Sequence, residues 1–97
     1  MVGHHSWMSD KDPLNISPII AARLNVAHHQ VTGSIENNGD ELHVSVSAPN
    51  ISDAAIHEVA RELGGKVLEV DIERDDAKTD FTVHDSTVVK QRLAHTS

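Results

Sequence analysis

Histidine is the residue type in excess here: eight stand at positions 4, 5, 28, 29, 43, 57, 84 and 95. Imidazole ligates metals, shuttles protons and changes its charge near neutral pH. Beside the histidines are 15 Asp and Glu residues and a set of small hydroxyl side chains, Thr32, Ser34, Ser45 and Ser47. These types offer three chemistries: metal ligation, acid–base catalysis and hydrogen-bonded recognition of a partner. A metal site requires three or four ligands converging about 2 Å from one point. Which chemistry is open therefore depends on which side chains the fold gathers.

Several reaction classes are excluded before any fold is considered. The chain has no cysteine, which removes disulfides, thiolate metal sites, iron–sulfur ligation and cysteine nucleophiles. It has no Gly-x-Ser-x-Gly, no phosphate-cradling glycine loop and no His-Glu-x-x-His. The expectation is a non-enzymatic protein without a cofactor. A net charge of −7 argues against nucleic acid, whose phosphates such a field repels. Met1 to Asp12 lacks a basic region followed by an apolar run, so no secretory signal is read there. No apolar stretch approaches the roughly 20 residues needed to span a bilayer. A cytoplasmic protein that does not enter membranes is expected.

The elements that position these side chains follow from periodicity. Residues 1–15 show neither a helical nor a strand period and are expected as a flexible tail. Residues 16–97 form one α+β domain. Only one Trp, one Phe and no Tyr are present, so aliphatic and β-branched residues must fill its core. Ser17-Pro18 is a helix start, with Ile20 and Leu24 on one face of the following segment. Next, His29 to Ile35 and Leu42 to Ala48 alternate around Asn38-Gly39, a pair suited to the positive φ angles of a type I′ turn. Centring the hairpin there sets Ile35 opposite Leu42, Gly33 opposite Val44 and Val31 opposite Val46, all on one face.

Pro49 ends the second strand, and Asn50 or Ser52 caps a helix from Asp53 to Leu63, stopped by Gly64-Gly65. Ile56, Val59, Ala60 and Leu63 form its apolar stripe. A second hairpin is centred on Asp76-Ala77, with Leu68, Val70 and Ile72 alternating on one strand. It pairs Ile72 with Phe81 and Val70 with Val83. A last helix, capped by Asp85 or Ser86, runs through Val89 and Leu93. The expected fold is a two-layer α+β domain of order α-β-β-α-β-β-α, an antiparallel-rich four-stranded sheet with helices on one face. In element order alone, residues 41–97 resemble most of a ferredoxin-like domain, as in the ACT-type regulatory and heavy-metal-associated families. The metal-binding family carries Cys-x-x-Cys after its first strand, where this chain reads Ala48-Pro49-Asn50-Ile51-Ser52. Neither family's function is carried over.

These registers leave a second sheet face open. Its first half carries the candidate partner-binding residues Gln30, Thr32, Ser34, His43, Ser45 and Ser47. Its second half is acidic, with Glu69, Asp71, Glu73 and Asp80. The expected function is a small accessory or regulatory module that binds a protein partner, or a second copy of itself, through this face. An alternative is a helix-turn-helix DNA-binding protein using residues 19–35, with a turn at Asn25 and Ala27, His28, His29, Gln30 and Thr32 toward the groove. A third is histidine-based metal binding. The registers oppose the third, placing His29 on the core side of its strand, His43 on the open face and His57 on a polar helix face beside Asp53.

Overall fold

Strands form where β-branched residues alternate with polar ones, and they pair as that alternation demands. The computed structural model describes residues 5–7 and 15–96. In chain order the elements are β1 (His5–Trp7), α1 (Ser17–Leu24), β2 (Val31–Glu36), β3 (Glu41–Val46), α2 (Asp53–Glu62), β4 (Asp71–Arg74), β5 (Thr79–His84) and α3 (Thr87–Thr96). Three-residue 3-10 turns, His28–Gln30, Asn37–Gly39 and Val67–Glu69, precede β2, β3 and β4. All strand pairs are antiparallel, in the order β1-β2-β3-β5-β4. Four strands make the body of this α+β sheet, and the backbone of β1 adds three positions against Gly33, Ser34 and Ile35. Apart from β1 and Asn15, the stretch expected as a tail lies outside the described residues.

The first hairpin has the expected register, Val31 opposite Val46 and Ile35 opposite Leu42. Its turn takes positive φ at Asn38 and Gly39, as a type I′ turn requires, and at Asn37 as well. In the second hairpin Ile72 faces Phe81 as expected, but β4 begins only at Asp71. Val70 is therefore outside the ladder, and Leu68, expected on the apolar face, is 97% exposed. The cause is the loop that leaves α2. Lys66 N–H donates to His84 O at 3.0 Å, and Glu69 N–H donates back to Lys66 O at 3.0 Å. That turn breaks the strand period at Val67–Glu69.

β3 and β4 both run antiparallel to β5, which lies between them. The crossover through α2 thus spans one strand, a split β-α-β arrangement. Helices α1, α2 and α3 bring Ile20, Leu24, Ile56, Val59, Leu63 and Val89 onto one sheet face. There they meet Val31, Ile35, Leu42, Val46, Phe81 and Val83, all nearly inaccessible to solvent. The caps are specific. Ser52 Oγ accepts from Ala55 N–H at 3.1 Å at the start of α2. Buried Ser86 Oγ accepts from Val89 N–H at 3.2 Å and donates to Leu63 O at 2.6 Å, tying α3 to α2. Ser17 does not act as the expected cap: it is the first, buried residue of α1, and Ile16 precedes it as N-cap.

Two sequence-based expectations are corrected at the start of β2. A helix-turn-helix does not form, because α1 stops at left-handed Asn25 and Val31–Glu36 is strand. Its β-branched Val31, Thr32 and Ile35 gain more on a pleated surface than in a helix. His29 is not core-facing either. It lies exposed in the 3-10 turn, which Gln30 closes by accepting from Ala27 N–H through Oε1 at 2.9 Å. Among the described residues, no helix is long and apolar enough to cross a membrane.

Candidate functional site

With the three helices on one face, the alternate residues of the ladder make up the other. Its rows can be followed across the sheet. Thr32 neighbours Ser45, then Asp80, then Glu73; Ser34 neighbours His43, then Thr82, then Asp71; Glu36 neighbours Glu41, then His84. The hydroxyl half and the acidic half are therefore one surface, joined by the β3–β5 pairing. A shallow depression of about 380 Å³ lies across this junction, lined by side chains that include Ser34, His43, Ser45, Asp80, Thr82 and Lys78.

Of the residues expected to bind a partner, Thr32, Ser34, His43 and Ser45 stand half-buried together on this face. Gln30 and Ser47 do not join them. Gln30 lies in the 3-10 turn, and its Nε2 donates to Ser47 O at 2.8 Å. Ser47 lies past the end of β3 and donates its own N–H to Gln30 O at 3.0 Å. Both close the end of the hairpin. Beside Ser34, His43 and Ser45, and outside the six expected binding residues, stand Asp71, Asp80, Thr82 and Lys78. The first three were legible as the polar face of their hairpin, but nothing local in sequence says which strands of two hairpins adjoin.

His43 is the best-connected side chain of the face. Its Nε2 lies 3.2 Å from both Glu36 Oε2 and Glu41 Oε1, and its Nδ1 lies 3.0 Å from Thr82 Oγ1. The carboxylates favour a proton on Nε2, leaving Nδ1 to accept from the Thr82 hydroxyl. A hydroxyl, an imidazole and a carboxylate in series are the parts of an activated nucleophile. An acyl-transfer site also requires free donors for the developing oxyanion. Thr82 and His43 lie on β5 and β3, both paired on either side, so the ladders consume the surrounding backbone N–H groups. The arrangement holds the His43 ring in place and sets carboxylate acceptors beside it on the open face.

The acidic half has its own order. His84 Nε2 lies 3.2 Å from Asp71 Oδ2, and Lys78 Nζ lies 3.7 Å from Asp80 Oδ2. Asp80 Oδ1 is shielded from solvent and accepts no hydrogen bond among the described residues. Buried acceptors are ordinarily satisfied, so this oxygen favours an incoming donor. Of the other histidines, His28, His29 and His95 are exposed and His57 is half-buried on α2. Asp53, the expected neighbour of His57, pairs with Arg74 instead. Among the described residues, no three His, Asp or Glu side chains gather in a way that holds a metal ion.

One end of the face is fixed by a chain of charges. Lys90 Nζ lies 2.8 Å from Asp40 Oδ1 and 3.3 Å from Asp85 Oδ1, while Lys66 Nζ lies 2.9 Å from Asp85 Oδ2. Hydrogen bonds from Lys66 and then Lys90 hold the Asp85 carboxyl below its ordinary pKa; Asp85 in turn raises Lys66, and Asp40 followed by Asp85 raises Lys90. A lowered carboxyl pKa stabilises the fold above the unfolded value. That contribution disappears as pH falls through the folded value, below about pH 4. The raised lysines act oppositely, losing their contribution only as pH climbs past about 10.5. Asp85→Asn, which keeps a residue tolerant of the left-handed φ of 55° there, is expected to lower the urea midpoint at pH 7. At pH 2 it is expected to leave the midpoint nearly equal to wild type; an equal gap at both pH values would contradict the assignment.

The fold and face together define a helix-backed antiparallel α+β protein with an open, polar, mainly acidic sheet surface. Compared with known proteins, the chain matches no family model, no curated protein and no solved structure significantly.

Proposed function

We propose that the chain is a non-enzymatic binding module that docks a cationic segment of a protein partner on its open sheet face. The observation that supports this is the continuous face of β2, β3, β5 and β4, with hydroxyls of Thr32, Ser34, Ser45 and Thr82 beside carboxylates of Glu36, Glu41, Asp71, Glu73 and Asp80. Asp80 Oδ1, which accepts no hydrogen bond among the described residues, suits a guanidinium or ammonium donor, since charge-assisted hydrogen bonds are the strong ones. Charge also selects among occupants. Two copies stacked face to face would set these carboxylates against one another, and like charges across an interface cost several kcal/mol. Phosphate backbones meet the same repulsion.

The test is an amide-shift titration with a short peptide alternating Arg and Ser. Shifts are expected at Thr32, Ser34, His43, Ser45, Asp80 and Thr82, weakening as salt rises. The combined Thr32→Arg and Ser45→Arg variant is expected to reduce affinity by about tenfold or more through placed repulsion and bulk. Unaltered affinity in that variant, with the fold intact, sinks the reading. Sedimentation is expected to give a monomer mass in the absence of peptide.

A further inference from the structure

The open face ends at β4, where the sheet has an unused edge. Among the described residues β4 pairs with β5 alone, whereas the outer side of β2 is taken by β1. Bonded and non-bonded pairs alternate along an antiparallel ladder. Because Asp75 N–H donates to Lys78 O at 3.0 Å, Glu73 and Asp71 turn their backbone groups toward β5. Ile72 and Arg74 then turn theirs outward. Sheet edges are ordinarily blunted by proline, charge or a covering element. β4 contains no proline, and its exposed Asp71 and Glu73 are both acidic. Its cation, Arg74, is folded away: Nε and Nη2 donate to Ile51 O at 3.1 and 2.7 Å, and Nη2 pairs with Asp53.

Two kinds of side chain flank this bare backbone. Toward the helices lies half-buried Ile72, and ahead of β4 come half-buried Val70 and, in the 3-10 turn, Leu68, which is 97% exposed. Toward the open face stand exposed Asp71 and Glu73. We propose that β4 accepts an added strand from the partner, an extended segment in which Lys or Arg alternates with aliphatic residues. The cations lie by Asp71 and Glu73, and the aliphatic side chains lie by Ile72, Val70 and Leu68, so main-chain bonds and side-chain pockets act together. A second copy is a poor occupant. Two antiparallel β4 strands with their faces aligned must centre on Ile72 or on Glu73, which opposes Asp71 to Glu73 or Glu73 to itself. The inference rests on the reading of a cationic partner and adds where and how that partner is held.

The experiment titrates the isotope-labelled full chain with a short peptide alternating Lys and Val. The amides of Ile72 and Arg74 are expected to shift and to exchange with solvent at least about tenfold more slowly. With the peptide added antiparallel to β4, N-methylation at every Val removes the N–H groups that would face β4 and should abolish that protection; N-methylation at every Lys should preserve it. Leu68→Asp, at a residue in contact with solvent, should weaken binding by about tenfold. Equal behaviour of the two methylated peptides overturns the added strand. Shifts confined to Thr32, Ser34, His43 and Ser45, with Ile72 and Arg74 unprotected, overturn it too but leave face docking standing. Silence at both sets overturns both.

Discussion

Replacing Phe81 with alanine is expected to lower the unfolding free energy by about 3–5 kcal/mol, most of what a small domain possesses. Phe81 is the one phenylalanine of the chain and is 2% exposed. It lies on β5, opposite Val44 on one side and Ile72 on the other. Its ring is thus placed where the two hairpins meet beneath the open face. Aliphatic neighbours collapse only partly around a deleted ring, so a lost transfer term and a residual cavity both contribute. The check is chemical denaturation of wild type and variant. A loss below about 1 kcal/mol would mean that the hairpins do not join through this pair.

Gly64→Val is expected to destabilise by about 3 kcal/mol, from two separate causes. Gly64 ends α2 at φ +69°, a left-handed conformation that a β-branched residue adopts only under strain. A Cβ there would also press directly on the Thr87 hydroxyl at the first turn of α3. The two causes separate experimentally. Thr87→Ala removes the oxygen but leaves φ unchanged, so it should restore part of the loss. Full restoration would make the backbone term negligible, and no restoration would make the contact irrelevant.

What could be read in the sequence was what neighbouring residues decide together. The first hairpin was legible because Asn38-Gly39 fixes the turn, and any slip would send Val31, Ile35, Leu42 and Val46 into water. α2 was legible from its stripe and from Ser52. Legibility failed where one group outbid a pattern. Leu68 and Val70 alternate properly, yet Lys66 must reach back to His84, and the resulting turn removes both from the ladder. Gln30 continues the polar face on paper, but its amide is used to close the turn before β2. Half of the candidate site was hidden for a different reason. Ser45 beside Asp80, and His43 beside Thr82, are contacts between segments separated by a whole helix, and no periodicity reports them.

That long-range pairing also bears on how the molecule comes into being. Each hairpin closes through local contacts, a microsecond event in peptides. The β3–β5 junction instead waits for the chain through α2 to bring distant segments together, and non-local contacts of that kind slow folding. The row from Ser34 through His43 and Thr82 to Asp71 crosses that junction. Either hairpin alone carries half a surface and no central row, so the open face is completed only through the least local of the strand pairings.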